Sequence, residues 1–278
     1  MPSADFQRPA PREDERIGTR DLAEWRTAAG RFVAGWLVRV AEVLGRLFRW
    51  AAANVGLVLT AVVGLVVIGV LTTVSGEVYE DVVDQDGIAA LDQPVLDAAV
   101  RLRTPDSARW ATDFTDLGGT VGMPVIAVVA AVGLALAWRR WMPVVLMAIA
   151  AAGSLLLTVT GKDLTGRARP PQSLAVPPYE SSASFPSGHT LNATVVLGLT
   201  AYLLVIWLPR KRWRTVVIGA LGTFIVAMGL SRVFLGHHWL TDVVAGWAIG
   251  LGWLATVITG HRVMLTLDRR HPPDPQDA

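Results

Sequence analysis

The polar residues able to do chemistry gather in two stretches in the second half of the chain. The first begins Lys162-Asp-Leu-Thr-Gly-Arg167-Ala-Arg169-Pro170 and closes on Pro186-Ser187-Gly188-His189; the second holds Ser231-Arg232, then His237-His238 and Asp242. His238 and Asp242 are four apart, so on a helix their side chains share a face and can meet. A carboxylate on one ring nitrogen fixes the imidazole tautomer and leaves the other nitrogen's lone pair free to attack phosphorus. Ser187 stands where a helix N-cap would stand, and the N–H groups of such a helix start, with a serine hydroxyl, form a cradle for phosphate oxygens. His189 would sit beside the bound group as acid or base. Each residue alone has a plainer reading: cations at helix ends snorkel to headgroups, a lone histidine is usually structural, and Ser187 can be an ordinary cap. Their concurrence favours chemistry.

Membrane spans must position these residues. The chain of 278 residues is 52% hydrophobic and 17% charged, with a mean hydropathy of +0.44, whereas soluble domains carry roughly a quarter charged residues. Six stretches are apolar enough to cross about 30 Å of hydrocarbon: Asn54 to Ser75, Val121 to Trp138, Met142 to Gly161, Leu191 to Leu208, Val216 to Leu235 and Leu240 to Thr259. Their many small residues let helices approach closely. The expected fold is all-α, a polytopic six-transmembrane-helix bundle with an N-terminal amphipathic interfacial helix. Residues 1–18 are expected to be disordered, 19–53 to form the amphipathic helix, 54–260 the membrane domain and 261–278 a cytoplasmic tail. In the amphipathic segment Leu22, Trp25, Phe32, Trp36, Val40, Leu44 and Leu47 recur at helical steps, with Arg26, Arg31, Arg39, Arg46 and Arg49 between them. The alternative is a cytoplasmic extension of the first span. Gly161 to His189, with prolines at 170, 171, 177, 178 and 186, reads as a loop. No short cationic leader precedes the first span, which is expected to stay as an anchor.

The net charge of +2 says little, but its distribution orients the chain. Arg139 and Arg140, then Arg210, Lys211, Arg212 and Arg214, and the basic residues before the first span and after the last, all fall where an even number of crossings has been made. Those connections and both termini are expected in the cytoplasm. The connection between the first two spans is acidic (Glu77, Glu80, Asp81, Asp84, Asp86, Asp92, Asp97) and is expected outside. Lys162, Arg167, Arg169 and Arg232 then lie on the outer side, against the charge rule, and gather with the histidines there. The lack of cysteine excludes thiol nucleophiles, disulfides, iron–sulfur clusters and thiolate-bound zinc.

Three of these segments together resemble the type-2 phosphatidic acid phosphatase superfamily of lipid phosphate phosphatases. Lys, six residues, Arg-Pro is met by Lys162 to Pro170; Pro-Ser-Gly-His by Pro186 to His189; and Ser-Arg, five residues, His, three residues, Asp by Ser231-Arg232, His238 and Asp242. The resemblance covers about Asp86 to Gly260, although only the motif residues are specific. It implies that Lys162, Arg169, Arg232, Ser187 and the Gly188 amide bind phosphate, and that His238 is the nucleophile, forming a phosphohistidine, with Asp242 holding its ring. His189 would protonate the leaving oxygen and then activate water. It implies no metal and no other cofactor. Arg167 and His237 lie beside motif positions without matching them, and His237 is the better placed to reach substrate.

A metal-dependent hydrolase using His189, His237, His238 and Asp242 is the weaker reading, because it leaves the cations without a purpose. A nucleotide-binding loop ending at Gly161-Lys162 fails, with Leu156 at its first glycine position and Asp163 after the lysine. A non-catalytic lipid transporter or receptor would need the cations but not both histidines. The expected partners are a lipid phosphate substrate and membrane lipids, with no nucleic acid and no obligatory protein partner. The resemblance and an outward-facing site in a bacterial cytoplasmic membrane make undecaprenyl (polyprenyl) diphosphate the leading substrate. Phosphatidic acid, phosphatidylglycerol phosphate and a glycosylated polyprenyl phosphate remain as alternatives.

Overall fold

The computed structural model describes residues 16–17, 20–21 and 27–268. The remaining N-terminal residues, the start of the expected amphipathic segment and the tail from Arg269 lie outside the described residues. The fold is all-α: apart from a two-residue antiparallel pairing of Arg16–Ile17 with Arg20–Asp21, the described residues form helices and connections.

The chain divides into two compact units, Met1–Val58 and Leu59–Ala278. In the first, α1 (Ala28–Ala53) starts at Thr27, whose side chain accepts the Gly30 N–H at 3.0 Å as an N-cap. Phe32, Trp36, Leu44, Leu47 and Phe48 stand exposed along it. α2 (Val55–Asp84) follows after Asn54 and runs on into the second unit.

The second unit continues through α3 (Asp92–Leu102), α4 (Pro105–Asp116), α5 (Gly122–Trp138), α6 (Met142–Thr165), α7 (Gly188–Trp207), α8 (Lys211–Phe234) and α9 (Leu240–Asp268). α7 is the central helix, packed against α5, α6, α8 and α9. It buries Leu191, Ala193, Val195, Leu199 and Leu203 completely. Small residues set how closely its neighbours lie: a Cβ on Gly250 of α9 would fall 2.9 Å from Thr194 Cβ, and one on Gly153 of α6 would fall 2.2 Å from the Trp253 ring.

Among the described residues, five helices are long and apolar enough to cross a membrane: α2, α6, α7, α8 and α9. α5, expected as a further span, is apolar but has 17 residues. At 1.5 Å per residue it is about 26 Å long, at the lower limit for a crossing. One other expectation needs correction. The supposed loop from Gly161 to His189 is helical at its start, since α6 continues to Thr165, and α7 begins at Gly188; the proline-rich stretch from Pro170 to Pro186 holds only a short 3-10 turn at Gln172–Leu174. The acidic connection after the first span contains α3 and α4, too short and too polar to register as spans. α4 nevertheless carries a legible start signal, a capping box between Thr104 and Ser107 with Pro105 in the first turn. α3 and α4 pack on α8, and α3 also on α9. They therefore lie against the two helices that carry Arg232 and Asp242.

Candidate functional site

The C-terminal end of α6, the N-terminal end of α7, the C-terminal end of α8 and the N-terminal end of α9 meet at one end of the bundle. Lys162, His189, Arg232 and Asp242 thus share a level although they are far apart in sequence. His237 and His238 lie in the tight α8–α9 turn, where both backbone N–H groups point to the Arg232 carbonyl (3.0 and 3.3 Å). Gly236 makes this turn possible: its φ is +74°, and a Cβ would meet the Leu174 carbonyl oxygen at 2.6 Å.

His238 is fully buried, with Nδ1 3.3 Å from Asp242 Oδ2. On its other side, Arg169 Nη1 lies 3.2 Å from Nε2. A guanidinium can only donate, so Nε2 carries the lone pair and Nδ1 the proton facing the carboxylate. Burial pushes the imidazole down to about 4, while Asp242 pulls it up and Arg232 and Arg169 add to the lowering. The ring is therefore neutral at ordinary pH. Asp242 Oδ2 also takes the Trp239 N–H at 2.8 Å and the Ser184 hydroxyl, and Oδ1 is held by Arg167 Nη1 at 2.6 Å.

Around this imidazole the cations converge. Lys162 Nζ and Arg169 Nη2 both reach Ser182 Oγ, each at 3.1 Å, and Lys162 also donates to the Ala183 carbonyl. Arg169 Nε donates to the Ser182 carbonyl and Nη1 to the His237 carbonyl, both at 2.7 Å. Arg232, buried, donates to Thr115 Oγ1 at 3.2 Å. Arg169 and Arg232 hold one carboxylate between them: Glu180 Oε2 is 2.7 Å from Arg169 Nη2, and Oε1 pairs with Arg232 Nη2. Burial alone would raise Glu180, but Arg232 and Arg169 hold it at about 2. His237 faces the same carboxylate, with Nδ1 4.0 Å from Oε1 and Nε2 donating to the Val176 carbonyl at 2.6 Å. Its ionisation is pushed down by burial and then by Arg232. Arg232 Nε and His237 Nδ1 are buried without a hydrogen-bond partner. The Arg232 Nε–H is thus a donor left open toward the cavity, whereas His237 Nδ1, with the ring proton on Nε2, is an acceptor.

Lys162, Gly188, His189, Arg232, His237 and His238 line one cavity of about 1170 Å³. Its floor is apolar and lies along the helices, with Met123 and Ala127 of α5, Ala151 and Leu155 of α6 and Val196 of α7. Arg169 lines a smaller adjoining cavity of about 300 Å³ that shares Glu180 and His237 with the first. The His189 ring packs on the turn after α4: a Cβ on Gly118 would lie 3.3 Å from His189 Cδ2, and one on Gly119 3.6 Å from Nε2.

Ser187 and Asp242 line neither cavity. Ser187 holds the N-cap position of α7 without a side-chain cap; its buried Oγ accepts from Thr190 at 2.9 Å, and its N–H bonds the Asp242 carbonyl at 3.0 Å. Arg167 also stays off the cavity, bridging Asp242 to Asp92 Oδ2 at 2.7 Å. Among the described residues, no three His, Asp or Glu side chains converge as a metal's ligand set. Sequence reasoning missed Glu180 and Asp92. Glu180 had a signal, being the sole acidic residue between Asp163 and Asp242; Asp92 was hidden among the acidic residues of its connection.

The PAP2 superfamily model matches residues 143–263, which contain all three motif segments. Phosphatidylglycerophosphatase B of Bacillus subtilis (strain 168) is 34% identical over 168 residues, covering 60% of this chain and 81% of that protein. The chain belongs to the PAP2 superfamily. This PAP2 phosphatase is also similar in structure to the crystal structure of a transmembrane PAP2-type phosphatidylglycerolphosphate phosphatase from Bacillus subtilis. That match has a TM-score of 0.62 at 28% identity and covers 71% of this chain and 95% of that one. An undecaprenyl-diphosphatase of Sulfolobus acidocaldarius is 35% identical over 78 residues, 28% of this chain and 33% of that protein. Like its structural neighbour, the PAP2 phosphatase is an integral membrane protein with several transmembrane helices.

Proposed function

We propose that this PAP2 phosphatase removes the terminal phosphate of a glycerophospholipid, phosphatidylglycerol phosphate foremost, through a phosphohistidine on His238. One observation carries the chemistry: the His238 ring lies between Asp242 and Arg169 with its Nε2 lone pair turned to the cation side. Lys162, Arg169 and Arg232, with the Gly188 N–H, hold the non-bridging oxygens and stabilise their charge as the P–O bond breaks. Ser187 contributes by fixing the start of α7. Nε2 attacks phosphorus in line, the phosphorus–oxygen bond to the lipid breaks, and His189 gives its proton to the leaving oxygen. His189 then takes a proton from a water that attacks phosphohistidine, releasing inorganic phosphate and restoring the neutral His238 ring. Glu180 yields its guanidinium partners to the incoming phosphate. The apolar floor of the cavity accommodates the lipid chains.

α5 is counted as the sixth crossing. The cations Arg139, Arg140 and Arg210 to Arg214 lie at the opposite end from His238, which by the positive-inside rule supports a site outside the cytoplasmic membrane and termini inside it. The exposed apolar face of α1, interleaved with arginines, suits the cytoplasmic leaflet interface. The Bacillus subtilis relatives support the glycerophospholipid over the polyprenyl diphosphate that the sequence alone favoured. The shorter Sulfolobus match keeps the diphosphate as the second reading. The deciding experiment is phosphate release in proteoliposomes from phosphatidylglycerol phosphate, phosphatidic acid and undecaprenyl diphosphate, with EDTA, comparing wild type with His238→Ala. Turnover should be fastest on phosphatidylglycerol phosphate and absent in the variant. A faster rate on undecaprenyl diphosphate installs the second reading, and an active variant removes the phosphohistidine.

A further inference from the structure

We propose that Asp92 and Arg167 are positioning residues for the nucleophile, setting the Asp242 carboxylate and, through it, the proton and lone pair of His238. The inference rests on the nucleophilic role of His238 given above. It concerns two residues that belong to none of the three motifs, and Asp92 lies outside the matched residues 143–263.

The side chains form a line of alternating charge. Asp92 Oδ2 is 2.7 Å from Arg167 Nη2, Arg167 Nη1 is 2.6 Å from Asp242 Oδ1, Asp242 Oδ2 is 3.3 Å from His238 Nδ1, and His238 Nε2 is 3.2 Å from Arg169 Nη1. The line is shielded from water, with Asp92 5% and Asp242 0% exposed. A guanidinium facing one carboxylate tends to take both oxygens in a fork. That arrangement would place Arg167 on Asp242 Oδ2 and take this oxygen from His238. Asp92 prevents it by claiming the second Nη, so Arg167 touches Asp242 at one oxygen only. Asp92 is itself held by the Thr241 N–H at 2.9 Å and the Thr241 hydroxyl at 2.7 Å. Trp239 flanks Arg167, its ring centroid 5.8 Å from the guanidinium carbon.

The consequence is electrostatic as well as geometric. His238 gains positive charge as Nε2 bonds to phosphorus, and Asp242 must answer that charge undiminished. A neutral Asp92–Arg167 pair leaves it so; a lone Arg167 would oppose the charge, and a lone Asp92 would add to its stabilisation. The other charged or titratable groups facing His238 are Lys162, Arg169, Glu180, His189, Arg232 and His237, and all are common to the variants below.

The test uses the full chain in detergent with p-nitrophenyl phosphate, reading kcat/KM against pH in Asp92→Asn, Arg167→Gln and the double variant. Asp92→Asn keeps an oxygen for the Thr241 N–H, so α9 keeps its start. The acid limb should move to lower pH in Asp92→Asn and to higher pH in Arg167→Gln, each by about half a unit or more, and return toward wild type in the double variant. kcat should fall about tenfold or more in both single variants. Arg167→Lys, which keeps the charge but cannot span two carboxylates, should lose kcat without moving the limb. A purely structural role lowers the yield or melting temperature of folded protein and leaves the limb where it was. Unmoved limbs, or limbs moving the same way, overturn the proposal. Trapping of labelled phosphoenzyme separates this from failure of the underlying reading: if His238→Ala still traps phosphate, the nucleophile assignment falls and the relay with it. If His238→Ala traps none and the limbs do not diverge, the relay alone falls.

Discussion

Glu180 pairs with the two guanidinium groups that the proposed reaction assigns to phosphate, so on that reading its charge sets the cost of admitting one. Its carboxyl is held at about 2 against an ordinary 4.5, a gap of roughly 3 kcal/mol in favour of the paired, ionised form. The side chain keeps 30% of its exposure, and solvent screening reduces that figure to about 1.5 kcal/mol. Glu180→Gln keeps the shape, removes the charge and should tighten phosphate or vanadate binding roughly tenfold. The assay is the inhibition constant for inorganic phosphate and for vanadate in purified wild type and variant at fixed ionic strength. Raising the salt should narrow the difference, because the competing pair is partly exposed. An inhibition constant that is unchanged or weaker in Glu180→Gln would refute competition between this carboxylate and the anion. It would mean instead that Glu180 helps to shape the site for phosphate.

Four further outcomes follow from the same geometry. With labelled p-nitrophenyl phosphate, whose leaving group needs no proton, His189→Ala should slow breakdown of the intermediate more than its formation, so that acid-labile labelled phosphate accumulates on the protein, while His238→Ala should trap none. Because His238 is held down to about 4, its ring stays unprotonated from neutral pH down through 5, and single-turnover phosphoenzyme formation should lose its enzyme-side activity only below the usual imidazole range near 6.5. Glu180 is a carboxylate with a lowered ionisation, so its contribution to stability is complete above about pH 4.5 and is lost as pH falls toward 2; melting temperatures in detergent should show this loss in wild type but not in Glu180→Gln. Gly153→Leu should cost several kcal/mol, seen as loss of folded, monodisperse protein, because its side chain would enter the space of the Trp253 ring, 2.2 Å from the Cβ position.

The helix ends that carry Lys162, His189, Arg232 and Asp242 were legible because apolar runs and charged interruptions alternate along the chain. His238 and Asp242 do meet at the four-residue spacing, although His238 lies in the turn before α9 and not on the helix itself. What periodicity could not supply was contact across the fold. Arg167 reads in sequence as a spare cation, and only the approach of α3 to the start of α9 reveals it between two carboxylates. Glu180 reads as one polar residue in a proline-rich connection, although it closes on both arginines. Ser187 was legible as the N-cap position of α7, but not the Thr190 hydroxyl, one turn on, that donates to its oxygen. α3 and α4 escaped for a simpler reason, since short helices that pack one face on a membrane bundle have no long apolar run.

The brevity of α5 bears on how a lipid gets to the histidines. Counted as a crossing, its 17 residues fall several ångströms short of an ordinary hydrocarbon layer, and it forms one wall of the larger cavity. Lipids beside that wall must thin or tilt to cover it, which draws their headgroups inward at the very flank where Met123 and Ala127 line the floor. With α5 as the proposed sixth crossing and a lipid phosphate as the proposed substrate, acyl-chain length in the host bilayer becomes a variable of turnover.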